Sequence, residues 1–89
     1  MNIIYDPDKD RLNQDKHGVS LALAISLEWD LLLVREDDRA AFGEQRWIGY
    51  APIGRVVYAV VFTEDAGLYR IISLRQATPR EVRDYARHI

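Results

Sequence analysis

Apolar residues change their spacing along this chain, and each spacing predicts an element. Asn2-Ile3-Ile4-Tyr5 is short and β-prone and predicts a first strand. Asp6-Pro7 then reads as a helix start, with Asp as N-cap and Pro at the first helical position. That helix runs to Lys16-His17, where Gly18 can take the left-handed cap conformation. Its one clearly apolar residue is Leu12, so burial alone holds it poorly. Ser20 caps a second expected helix, Leu21 to about Trp29, apolar on nearly every face. Leu31 to Arg35 reads as a strand, followed by the polar loop Glu36-Asp37-Asp38-Arg39. Three more strands are expected at Gln45 to Ala51, Arg55 to Thr63 and Leu68 to Arg75. Pro52-Ile53-Gly54 and Glu64-Asp65-Ala66-Gly67 separate them as turns, which makes an antiparallel meander. Thr78-Pro79-Arg80-Glu81 is a capping box that opens a last helix, with Val82, Tyr85, Ala86 and Ile89 on one face.

The order β-α-α-β-β-β-β-α predicts an α+β fold, a mostly antiparallel sheet flanked by helices. One sheet face should carry the helices and the other should stay open. With 89 residues and no linker or repeat, the chain is expected to be a single domain, 1–89.

Composition adds exclusions. There is no cysteine, so thiolate chemistry, disulfides and cysteine-based metal sites are ruled out. The two histidines, His17 and His88, are far apart in the sequence; neither a metal site nor a cofactor is expected. No apolar run is long enough to span a bilayer, and the cytoplasm is the default location. The net charge of -2 hides an asymmetry. Residues 1–45 carry five basic and ten acidic side chains, and residues 46–89 carry seven arginines and four acids. Arginine offers a planar fork suited to phosphate or carboxylate, so the second half suggests a local anion-binding face.

Two sets of residues could carry chemistry. On the first helix, Lys9, Asn13, Lys16 and His17 share one stripe, either as a polar wall facing a phosphate-bearing ligand or as a solvated face. In the meander, Arg46 stands beside Glu44, and Arg70, Ser73 and Arg75 follow on the last strand. Strict alternation puts Ser73 and Arg75 on one face and Arg70 on the other, unless a bulge intervenes. Each arginine could instead pair with a carboxylate such as Glu44 or Glu64. Most aromatic residues should be core, with one or two free to stack on bases. Arg80, Arg83 and Arg87 on the last helix read more readily as a solvated edge than as a DNA-recognition surface.

The run Asp6-Pro7-x-Lys9, Asn13, Lys16-His17-Gly18-Val19-Ser20 resembles the opening of the BrnT family of toxins. Glu44-x-Arg46, Ile48-Gly49 and Arg70-Ile71-Ile72-Ser73-x-Arg75-x-Ala77-Thr78-x-x-Glu81 resemble its second half. The resemblance covers the chain from about Tyr5 to Tyr85. It implies a ribonuclease toxin of a type II toxin–antitoxin system, with a RelE-like fold and no cofactor. It also implies a ribbon-helix-helix antitoxin similar to BrnA, homodimerisation within the complex, and contact with promoter DNA only through that antitoxin. Two departures from the family pattern are the apolar Leu21–Ile25 stretch and Gln76, where a basic residue is frequent.

RNA can be cut without metal when its 2′-hydroxyl attacks the adjacent phosphate. The reaction needs proton transfer near neutral pH and cations for the phosphorane charge. The catalytic candidates are His17 and Glu44 for proton transfer and Arg46, Arg70 and Arg75 for phosphate. Lys9, Asn13, Lys16 and Ser73 are the RNA-binding candidates. The alternative is a binding module that engages the antitoxin and cuts nothing.

Overall fold

The computed structural model describes residues 1–39 and 43–88. Five strands form one sheet in the order β1-β5-β4-β3-β2. They are β1 (Asn2–Ile4), β2 (Leu33–Glu36), β3 (Trp47–Ile53), β4 (Val56–Asp65) and β5 (Leu68–Gln76). Four strands make an antiparallel meander, and β1 adds to β5 in parallel through Asn2, Ile3 and Ile4. The expected α+β class with a mostly antiparallel sheet is observed.

Helix α1 (Pro7–His17) begins and ends where its caps require. The Asp6 carboxylate accepts from the Asp8 amide, and Gly18 closes the helix at φ 75°. Helix α2 (Pro79–Ala86) opens on a complete capping box between Thr78 and Glu81. Ile89, expected on its apolar face, lies outside the described residues.

The second expected helix is different. Leu21–Ser26 is a 3₁₀ segment, and a second short 3₁₀ turn covers Trp29–Leu31. The reason lies in what the backbone groups find beyond Ser26. An α-helix would direct the Glu28 amide to the Ala24 carbonyl. Here that amide bonds Pro52 O at 2.9 Å, tying the segment to β3. The Ala24 carbonyl instead accepts the Trp29 indole N–H, also at 2.9 Å. Pro52 and Ile53 are likewise part of β3 rather than a turn. The hairpin needs only Gly54 and Arg55, with Gly54 at φ 59°.

Leu21, Ala24 and Leu27 pack on one face of the sheet with Ala51, Tyr58, Val60, Phe62, Ile71 and Leu74. Ile71 and Leu74 stand three apart, yet both are buried in that core. The register explains this. Val61 pairs with Ser73 but Phe62 pairs with Ile71, so β5 carries one extra residue, Ile72, as a bulge.

The helices do not all lie on one face. Tyr50, Ala59 and Arg75 are cross-strand partners on the face opposite the core. Glu81 of α2 bonds both Tyr50 and Arg75, and the Tyr85 hydroxyl donates to Leu31 O at 2.6 Å. Helix α2 therefore covers one end of the face that was expected to stay open. Among the described residues no helix is long and apolar enough to cross a membrane.

Candidate functional site

The bulge decides which arginines can act together. Strict alternation would place Arg70 among the core residues. With Ile72 extra, Arg70 pairs with Thr63, Ser73 with Val61 and Arg75 with Ala59, and all three share the face opposite the core. Arg46 precedes β3 on the same face as Ile48 and Tyr50. Arg35 of β2 pairs with Ile48 and joins them. One side of the sheet thus carries Arg35, Arg46, Arg70 and Arg75.

The candidate residues fall into three clusters. The first joins Glu44, Arg46 and Arg70. Glu44 forms an ion pair with the Arg70 guanidinium and lies 3.6 Å from Arg46 Nε. Arg70 Nε also donates to the Thr63 hydroxyl at 3.4 Å. Both charges of the Arg70–Glu44 pair are partly exposed, so the pair adds roughly 1 kcal/mol or less to stability. A cavity of about 360 Å³ lies beside it, lined by Ile4, Glu44, Thr63 and Arg70 among others.

The second cluster centres on Arg75. Its NH1 and NH2 groups donate to the two Glu81 carboxylate oxygens at 2.7 and 3.0 Å. The same carboxylate accepts from the Tyr50 hydroxyl at 3.0 Å and from the Thr78 amide at 2.8 Å. Arg75 holds the Glu81 carboxyl at about 2, against burial that would raise it; Thr78 and Tyr50 add to the lowering. Burial pushes the Tyr50 hydroxyl up, and Glu81 adds to this. Sequence reasoning missed this cluster beyond Arg75. Tyr50 and Glu81 are 31 residues apart, and the capping box accounted for Glu81 by itself. Arg39 lies in the turn after β2; its guanidinium bonds the buried Asp37 at 2.8 Å, and its charge reaches Arg75.

The third cluster is the stripe on α1. Lys9, Leu12, Asn13, Lys16 and His17 face Ile72 and Ser73 across a groove of about 270 Å³. The helical spacing and the bulged strand together build this wall. Asn13 is buried and is held by the backbone. Its amide donates to Val19 O at 2.9 Å and Leu74 O at 2.8 Å, and its oxygen accepts from the Leu74 amide at 3.1 Å. With both N–H donors used, Asn13 anchors α1 to the edge of β5, beyond the point where β1 ends. His17 is half-buried, and its pKa lies below the ordinary 6.5 because of burial, then the Lys16 charge, then that of Arg75. An imidazole so placed is mostly neutral at pH 7 and can accept a proton.

The electrostatic reach of Arg75 to His17 connects the second and third clusters. The Glu44 cavity and the His17 groove share no lining residue. Lys9, Asn13, Lys16, His17 and Ser73 are therefore brought together, with Arg75 close enough to be felt, whereas Glu44, Arg46 and Arg70 form a separate group on the same side of the sheet.

A profile for the ribonuclease toxin BrnT of type II toxin–antitoxin systems matches residues 5–81. This chain belongs to the BrnT family. The matched span contains every candidate residue, from Lys9 to Arg75, and ends on Glu81. No curated protein matches the chain. Membership in a BrnT ribonuclease toxin family means a reaction on RNA and an antitoxin protein as partner.

Proposed function

We propose that this chain is a metal-independent endoribonuclease with a RelE-like arrangement, cutting RNA through attack of its own 2′-hydroxyl. The observation that carries the reading is the groove in which Lys9, Lys16, His17 and Ser73 meet, within electrostatic reach of Arg75. Neutral His17 takes the 2′-hydroxyl proton as the 2′-oxygen bonds to phosphorus. Arg75 and the two lysines stabilise the phosphorane charge. The bond from phosphorus to the 5′-oxygen breaks, that oxygen takes a proton from water, His17 returns its own to the solvent, and a 2′,3′-cyclic phosphate remains. Asn13 positions the helix that bears His17. Arg46 and Arg70 bind flanking phosphates along the same face, and Glu44 holds the Arg70 guanidinium in place.

The lysines favour this reading because no carboxylate pairs with them among the described residues. A BrnA-like ribbon-helix-helix antitoxin covers the site, and the complex, with the toxin as a homodimer, represses its own promoter through antitoxin contacts to DNA. The partner-free protein is incubated with RNA in EDTA. Products ending in 2′,3′-cyclic phosphate are expected, with cleavage lowered on the order of a hundredfold or more by His17→Ala or Arg75→Ala. Wild-type rates in both variants refute the assignment.

A second reading rests on a different observation. Arg70 and Arg75 already have internal carboxylate partners, Glu44 and Glu81. A chain whose arginines are neutralised this way could serve only to engage the antitoxin. Intact RNA beside tight antitoxin binding supports that module.

A further inference from the structure

Beside the Arg75 cluster lies a cavity of about 350 Å³ between β2, β3 and α2, lined by Leu33, Val34, Arg35, Tyr50, Glu81, Asp84, Tyr85 and His88. None of its residues was assigned a role in the reaction above. We propose that this cavity is a nucleobase subsite that selects guanine in the nucleotide next to the cleaved phosphate.

Three observations carry the proposal. The first is position. Glu81 and Tyr50 form part of the cavity wall and are the groups that bond each other and hold Arg75. A phosphate bound to Arg75 thus leaves its own nucleotide within reach of the cavity. The inference rests on the reading of Arg75 as a phosphate ligand.

The second is shape. Tyr50 and Tyr85 enter the wall with their hydroxyls already bonded, to Glu81 and to Leu31 O. Their rings are therefore fixed in place, and with Leu33 and Val34 they make an apolar wall suited to a flat heterocycle.

The third is the polar pair at the rim. Arg35 and Asp84 both line the cavity, a fork of donors and a fork of acceptors. Among the described residues the ion pair of the Asp84 carboxylate is a long one, to Arg87 at 3.8 Å. Guanine is the one RNA base with two adjacent N–H donors, N1 and N2, for a carboxylate and two acceptors, O6 and N7, for a guanidinium. Adenine, cytosine and uracil satisfy at most part of this set and leave a charged group unmatched. His88, whose Nδ1 sits 2.7 Å from Asp84 O, closes the rim at the end of the helix.

The test uses the whole chain, labelled for NMR, titrated separately with the 3′-monophosphates of guanosine, adenosine, cytidine and uridine. Guanosine 3′-monophosphate is expected to bind at least tenfold more tightly than the other three. Its shifts should centre on Arg35, Tyr50, Asp84 and Tyr85. Asp84→Asn, at an exposed carboxylate, should bring the four affinities together, and Asp84→Ser should do the same. Equal affinities in the wild type, shifts centred elsewhere, or a preference that survives both variants would overturn the proposal. Arg75→Ala separates the two readings. If it weakens all four nucleotides alike, both stand. If it changes no affinity while the guanine preference persists, the base subsite stands and the phosphate role of Arg75 falls.

Discussion

Helix α1 and the first 3₁₀ segment both pack against β5, yet they are held there by opposite means. The 3₁₀ segment buries Leu21 and Ala24 completely, and loss of apolar surface to water keeps it in place. Helix α1 buries no apolar side chain, and Leu12 is 67% exposed. It is tied by the three backbone bonds of Asn13 and by the Asp10 carboxylate, which accepts from the Leu21 amide at 2.7 Å and the Ser20 hydroxyl at 2.9 Å. The difference has a purpose in space. A helix fixed by hydrophobic packing must turn an apolar stripe toward its support, whereas one pinned through the polar side chains of Asn13 and Asp10 can line the adjoining groove with Lys9, Lys16 and His17.

The largest effect should come from the apolar anchor. Leu21→Ala is expected to cost about 3–4 kcal/mol in thermal or urea unfolding, since the side chain is fully buried. The polar anchor should be nearly as sensitive. Asn13→Ala leaves the Leu74 amide and carbonyl without their partner and should cost roughly 2–3 kcal/mol. It should also shift the amide resonances of Lys16 and His17, while Leu21→Ala should disturb mainly the core. Equal disturbance of the groove by both variants would show that the two anchors are not separate. The smallest effect is a dependence on acid. The Leu21 amide is the main cause that holds the Asp10 carboxyl below its ordinary 3.8, with Ser20 and Gln14 adding to it against burial. A lowered carboxyl supports the fold above the unfolded value, and that support is lost as pH falls below 3.8 toward the native value. The Leu21 amide resonance should move in that window in the wild type and stay flat in Asp10→Asn.

The legible parts of the site were the local ones. Lys9, Lys16 and His17 could be placed on one stripe because helical spacing is set by the backbone, and Asp6, Gly18 and Thr78 marked helix ends that the structure keeps. The arginine face was not legible. Arg70 joins Ser73 and Arg75 through an extra residue at Ile72, and nothing in Arg70-Ile71-Ile72-Ser73 distinguishes the bulged residue from its neighbours. The Tyr50–Glu81–Arg75 cluster was hidden because it joins β3, β5 and α2, and only the folded chain brings them together. The 3₁₀ form of Leu21–Ser26 was hidden for the same reason, since Pro52 and Trp29 supply the bonds that divert it.

Ile72 also sets the tolerance of this strand to change in length. Side-chain direction in a strand is a matter of phase, and one residue is half a period. A β5 shortened by that residue would pair as a regular ladder and leave Arg70 opposite Thr63, whereas a β5 of the same length with the bulge straightened would send Arg70 to the side of Phe62 and the core. Along this strand charge is aimed by where the extra residue is absorbed, and losing the bulge would undo that aim without removing any of the groups that bear the charge.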